Sequence, residues 1–197
     1  LTLGYGDSIL DFRAAMDAST QYTADAIQST AWDLAAQAGA GSSRASASEN
    51  DLGNLSSDQL AQVFGIAQYP QQSAGTLQQA DLTGWSSAEL LKARLAKIRG
   101  KIRFQGSPLP KPGCTVELEG LGGRFNGTAY VSGVHHRVAG GTWMTHVEIG
   151  LASQWFAATA PDVSAPGAAG LLPPISNLQA GIVLKTGGGP AGGVRVP

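Results

Sequence analysis

Hydrophobic and polar positions alternate most regularly between Pro112 and Leu151. There, three strand-like runs (Thr115 to Glu119, Thr128 to Val138 and Thr142 to Leu151) are separated by glycine-rich turns. Alternation at a period of two sends successive side chains to opposite faces, so this block predicts antiparallel β-structure. Gly140-Gly141 is a natural two-residue hairpin loop, because both positions can take positive φ. A turn there sets Val138 opposite Trp143, Val134 opposite Val147 and Ser132 opposite Ile149, with Tyr130 continuing one largely apolar face expected to line a barrel interior. His136, opposite Thr145, falls on that same face. The reverse face pairs Arg137 with Met144 and His135 with His146, and sets Glu148 diagonal to His135.

Earlier in the chain the pattern is weaker. Ser8 to Phe12 and Tyr22 to Leu34 read as strands, the second closing on Ala31-Trp32-Asp33. Ala35 to Asn54 is rich in Ala, Gly and Ser with little to bury, and reads as a fading strand followed by a mobile loop. Ser57 to Phe64 predicts a short helix, capped by Ser56 or Ser57 and stopped by Gly65. Thr76 to Leu82 reads as another strand. Ser86 and Glu89 have the capping-box spacing, so a helix is expected over 86–99 with Gly100 as its stop. Ala88, Leu91, Leu95 and Ile98 form its apolar stripe, expected to pack across a barrel opening or onto a sheet face. Beyond Gly100, Ile102 and Phe104 alternate with Lys101, Arg103 and Gln105, and the period switches to that of a strand. Pro108, Pro110 and Pro112 hold the next segment extended, with a turn at Pro112-Gly113.

From Trp155 to Pro174 the chain turns to Ala, Pro and Ser, a linker by composition. Gln179 to Lys185 and Val194 to Val196 are strand candidates around a glycine-rich turn at Gly187 to Gly193. Two strands alone cannot bury a face. The expected division is therefore a β-barrel domain over 1–155, a linker over 156–176 and the truncated start of a second domain over 177–197. The chain starts at Leu1 and stops at Pro197 inside a strand-like run, so it is expected to be a piece of something longer.

Composition narrows the function classes. Of 197 residues, 43% are hydrophobic, 14% charged and 27 are glycine, which favours many strands and tight turns over a helical bundle. A net charge of −1 provides no general attraction to nucleic acid or anionic membranes. A single cysteine, Cys114, excludes an internal disulfide framework and reads as a small buried side chain. No apolar run approaches the roughly 18 to 20 residues of a membrane span, and no signal peptide is visible.

Candidate chemistry is sparse. His135, His146 and Glu148 share a predicted sheet face and could hold zinc or iron. A polar outer face touching solvent or a neighbouring subunit is the preferred reading of the same residues, and His136 reads as a hydrogen-bonded barrel histidine. Lys92, Arg94, Lys97, Arg99, Lys101 and Arg103 make a basic run. In helical projection its first four members flank the apolar stripe, which is snorkelling and not the focused charge that phosphates need. Trp32 and Trp85 read as core or interface anchors. Asn126-Gly127-Thr128 is a turn, and Gly120 to Gly123 has no following helix to make a phosphate loop.

Several blocks, in order, resemble the Vgr-type spike and phage tail hub proteins of contractile injection machines. LGYGDSILDF with a strand closing on Trp32 and Asp33 resembles the opening of the second hub barrel. WSSAELLKARLAKIRGKIRFQGSP resembles the family's helix leading into a strand. PGCTVELEGLGGRFNGTAYVSGVHHRVAGGTWMTHVEIGL is the most specific block, and Pro112, Gly113, Val134, His136, Gly141 and Trp143 carry it. ISNLQAGIVLK with VRVP resembles the start of the OB-type barrel that joins hub to spike. The resemblance implies a mainly β hub-type barrel with one packed amphipathic helix, followed by the first strands of an incomplete OB-fold. It implies a structural part with no catalytic residues, cofactor or resident metal. Its implied partners are two further copies in a homotrimer, the tail-tube protein, and the spike tip with its effectors. Nucleic acid is not among them, and membranes are met only by puncture. Assembly in the bacterial cytoplasm and export or injection on contraction follow from the same resemblance. Type VI secretion, Rhs-type elements, extracellular particles and phage tails all remain open. Two rival classes are a β-barrel module binding glycan or peptide, and a metal-dependent enzyme using His135, His146 and Glu148.

Overall fold

A computed structural model describes residues 1–33, 38–44, 52–73, 77–160, 185–186 and 194–195. The chain runs through β1 (Thr2–Gly4), β2 (Ile9–Met16), β3 (Ile27–Asp33), β4 (Ala38–Arg44), α1 (Ser57–Phe64), β5 (Tyr69–Ser73) and α2 (Gln79–Leu95). It continues through β6 (Ile98–Gln105), β7 (Thr115–Glu119), β8 (Gly127–Ala139), β9 (Thr142–Ile149), α3 (Phe156–Thr159), β10 (Lys185–Thr186) and β11 (Val194–Arg195).

Six strands form one sheet in the order β1-β7-β8-β9-β6-β2, antiparallel except for the parallel pair β1 and β7. The sheet curls into a half-barrel, and its outer strands approach each other where Tyr5 bridges Ile9. Its concave side holds the main core, including Leu3, Ile9, Ile98, Ile102, Phe104, Leu118, Val131, Val147 and Ile149. β6 shows why these residues make a strand: Ile98, Ile102 and Phe104 point in, while Arg99, Lys101, Arg103 and Gln105 point out. Each large inward side chain contributes about 1.5 to 3 kcal/mol of transfer free energy before ordering entropy is subtracted. Gly100 lies mid-strand, where a Cβ would strike the backbone of Arg13 and Ala14 on β2, so it admits a close strand approach and is not a helix stop.

A second sheet has the order β4-β3-β5, and α2 lies against β3 and β4. Ile27 and Leu90 are buried between them, with Tyr22 and Tyr69 packed alongside at a centroid distance of 4.7 Å. α1 follows its predicted bounds: Ser56 and Gln59 form a reciprocal capping box, and Gly65 closes the helix in the left-handed region at φ 61°.

The structure corrects several expectations. α2 begins at Gln79, where a strand was expected, and ends at Leu95, so Ile98 and Arg99 belong to β6. Gln78 and Asp81 supply the capping box, whereas the Ser86 hydroxyl donates back to the carbonyls of Leu82 and Thr83 inside the helix. The buried face is Leu82, Ser86, Glu89, Leu90, Ala93 and Arg94, while Leu91 of the expected stripe is 43% exposed. Ala38–Arg44, in the stretch expected to fade from a strand into a mobile loop, is the full strand β4 paired with β3. β3 starts at Ile27 and not at Tyr22, and β2 extends to Met16. Cys114 is exposed. Within the expected linker, Phe156–Thr159 form a helical turn. Lys185 and Thr186 pair antiparallel with Arg195 and Val194, as the two late strand candidates anticipated. The remainder of the linker, Gln179 to Leu184 and the glycine-rich turn lie outside the described residues. Among the described residues no helix is long and apolar enough to cross a membrane.

Candidate functional site

The β8–β9 hairpin is the element on which the sequence reading concentrated its candidates. Gly140 and Gly141 take φ of 58° and 76°, and the expected pairs Val138–Trp143, Arg137–Met144, His136–Thr145, His135–His146 and Val134–Val147 all form. The register then shifts: Gly133 faces Glu148, but Val131 faces Ile149. Ser132 is the bulged residue, and its hydroxyl donates to the Glu148 carbonyl at 3.2 Å. One extra residue inverts the alternation below it, so Val131 enters the core and Tyr130 does not, contrary to the expected pairing of Ser132 with Ile149.

The expected interior wall is divided along its length. Val147 is fully buried and Val134 packs on the core, but Val138 is 73% exposed and Trp143 36% exposed. The hairpin therefore outruns the half-barrel. Between the two zones lies a polar knot. His136 Nδ1 is 3.1 Å from Thr145 Oγ1, and the Trp143 indole N–H is directed at the same nitrogen at 3.4 Å. The Ser107 N–H donates to Thr145 Oγ1 at 3.0 Å, and the Gly106 N–H donates to the Trp143 carbonyl at 2.8 Å. A Cβ on Gly106 would lie inside the Trp143 ring. His136 is thus hydrogen-bonded, but it is exposed where the hairpin leaves the half-barrel and does not lie in a barrel interior.

On the outer face the rings of His135 and His146 meet edge-on at 5.9 Å, and with Glu148 they line an open groove of ≈ 460 Å³. Glu148 is engaged elsewhere: its Oε1 pairs with Lys101 Nζ at 2.7 Å, both side chains being largely exposed. Among the described residues no group of three His, Cys, Asp or Glu side chains is placed to hold a metal ion. A cation here would compete with the Lys101 ammonium for Glu148. The geometry favours a polar surface.

Other candidates resolve individually. Trp32 and Asp33 end β3 opposite Gly39 and Ala38. Pro112-Gly113 forms the turn into β7, with Gly113 at φ 87° and its N–H bonded to the Val131 carbonyl. Trp85 is half-buried on α2. The basic run splits in two, because the helix ends before Lys97. Lys97 is 1% exposed and donates to the Leu55 carbonyl at 3.1 Å, and Arg94 lies 3.7 Å from Asp58. Arg99, Lys101 and Arg103 instead share the outer face of β6. Arg99, expected to snorkel beside a helical stripe, is therefore an exposed strand residue.

Trp155, which composition assigned to the edge of a linker, docks on α2. Its indole N–H donates to Glu89 at 3.0 Å, and Lys92 Nζ, itself 3.0 Å from Glu89, sits 4.0 Å from the ring centroid. A tryptophan in Ala/Ser-rich sequence was the available signal. Burial pushes the Tyr22 and Tyr69 phenols above their ordinary range, while hydrogen bonds from Ser19 hold the Asp17 carboxyl below its own.

Comparison with known proteins bears on the fold. The 43 kDa tail protein of prophage MuSo2 from Shewanella oneidensis superposes with a TM-score of 0.50 at 9% identity, over 77% of this chain and 43% of that one. A tail protein from Neisseria meningitidis MC58 gives a TM-score of 0.45 at 12% identity, over 76% and 43%. The chain thus spans less than half the length of either structure. The mainly β half-barrel is a phage-tail-type fold. No curated protein matches the sequence. A family model described as the Alg8 N-terminal domain covers residues 1–140, most of the chain, and is not described as a Vgr-type hub. The chain belongs to the family of the Alg8 N-terminal domain.

Proposed function

We propose that this chain is a structural hub component of a contractile injection machine, standing between the tail tube and a puncturing spike. The observation that carries the reading is the curled six-stranded half-barrel, the architecture it has in common with the MuSo2 tail protein. A hairpin that projects past the barrel with Val138 and Trp143 exposed suits a part that docks on neighbours. The chemistry agrees with this reading: the outer-face histidines are next to a carboxylate already paired with Lys101, which favours assembly over catalysis. Three copies in a ring, contacts to the tube protein and to the spike with its effectors, and export on contraction belong to this proposal. A Vgr-type, type VI or Rhs-associated setting is its narrowest form.

Native mass measurement of the full-length protein tests the reading. Three copies per particle is the expected result, since closed rings need complementary, non-identical edges on each copy. A stable monomer at high concentration overturns it. The two rivals have their own readouts. A saturable rise in melting temperature on a glycan panel would favour a binding module. About one equivalent of zinc or iron in purified protein would favour an enzyme.

A further inference from the structure

The outer face of β6, β9 and β8 gathers positive charge that a helical projection disperses. Arg99, Lys101 and Arg103 project from β6, Arg13 stands opposite Lys101 on β2, and Arg137 projects from β8. Two carboxylates lie among them and both are engaged: Asp11 is 3.5 Å from Arg13, and Glu148 is 2.7 Å from Lys101. Arg103 and Arg137 have no carboxylate within ion-pair distance among the described residues; Asp11, opposite Arg103 on β2, is turned to Arg13. They flank the central strand β9, Arg103 beside His146 and Arg137 beside Met144, a diagonal of about 12 Å at the backbone across two strand spacings and two residues of strand rise. Between them lies a groove of ≈ 220 Å³, lined by these four residues with Ala139 and Thr142.

We propose that this groove receives an Asp or Glu side chain from an acidic segment of a partner protein. Guanidinium groups match a carboxylate in a fork geometry, and a charge-assisted pair of that kind is among the stronger surface contacts. Half-buried Met144 on the floor offers a soft apolar surface for the methylenes of the incoming side chain. Arginine and methionine are the residues enriched at protein interfaces, whereas lysine is depleted. The volume suits one side chain and is below that of a small-molecule pocket. Nucleic acid fits poorly: Asp11 and Glu148 interrupt the basic rows, and no Trp, Tyr or Phe lines the groove to stack a base. The reverse side of the same hairpin exposes Val138 and Trp143, with Leu109 exposed nearby in sequence to β6, an apolar surface that a partner protein can cover. The inference stands on the charge pattern and does not require the tail reading.

The test is fluorescence anisotropy on the purified chain with three labelled probes: a peptide alternating Glu and Ser, its Gln counterpart, and a single-stranded oligonucleotide of equal charge. Saturable binding of the Glu peptide alone, weakening with salt, is expected. Arg103→Ala and Arg137→Ala should each weaken it about tenfold or more, the cost of one charged hydrogen-bonded pair. Arg137→Lys should fall between, and Arg99→Ala should leave binding within about twofold of the parent because its charge lies outside the groove. Thermal melts of each variant separate lost binding from lost folding, and Arg137→Lys carries the test if the alanine variant unfolds. Failure of the Glu peptide to bind, equal binding of the Gln peptide, no effect of either arginine substitution, or tighter binding of the oligonucleotide would each overturn the proposal.

Discussion

His136 Nδ1 lies 3.1 Å from Oγ1 of Thr145, the residue directly opposite it on the hairpin. Thr145 is fully buried, and the same oxygen accepts the Ser107 N–H at 3.0 Å. One hydroxyl therefore ties β8 and β9 to the chain leaving β6, at the level where the hairpin emerges from the barrel. Thr145→Val keeps the shape but strands the Ser107 N–H, which should cost about 1 to 3 kcal/mol. Thr145→Ser keeps the hydroxyl and should cost much less. Urea unfolding distinguishes the two, and equal stabilities would remove the knot from the account.

Gly106 is covered by the Trp143 ring, with no room for a Cβ. Gly106→Ala should destabilise by about 1 to 3 kcal/mol through overpacking. Combining it with Trp143→Leu should recover part of the loss, a non-additivity of at least about 0.5 kcal/mol in a double-mutant cycle. Additive losses would show that the two do not touch.

Trp155 holds the segment after β9 against α2 through Glu89 and Lys92. Trp155→Leu keeps an apolar contact but loses the N–H bond and the cation–π contact, for about 1 to 2 kcal/mol together. Glu89→Gln should cost less, because an amide oxygen still accepts the indole N–H. A Trp155→Leu variant as stable as the parent would make this segment a loose tether.

The strands were legible because a half-barrel buries only one side of each, and β6, β7, β8 and β9 therefore write their period into the sequence. The bulge at Ser132 was not, since an extra residue leaves composition unchanged and only shifts the phase. α2 was mislocated because its buried face carries Ser86, Glu89 and Arg94, which bond to backbone and to Lys92, Trp155 and Asp58 instead of offering apolar periodicity. The basic face of β6 was hidden by the same error, since Arg99 was assigned to a helix. β4 has few large apolar side chains, and its pairing with β3 comes from backbone bonds that no pattern announces.

Tyr22 and Tyr69 give the fold an alkaline limit. Burial holds both phenols neutral, raising their folded-state pKa above the ordinary 10.0. The stability this provides is complete below the unfolded value and is lost as pH rises through the folded one. Denaturation midpoints should therefore fall in the alkaline range, and Tyr22→Phe with Tyr69→Phe should flatten the decline. An identical pH profile in the double variant would assign the alkaline loss to other groups.

The structural reading is tested most directly by cryo-electron microscopy of contractile particles purified from the cells that make this protein. The account predicts the half-barrel at the tube-to-spike junction, three copies around the axis, with the β8–β9 hairpin against a neighbouring chain. Intact particles lacking this density, with the protein recovered only in the free fraction, would contradict it.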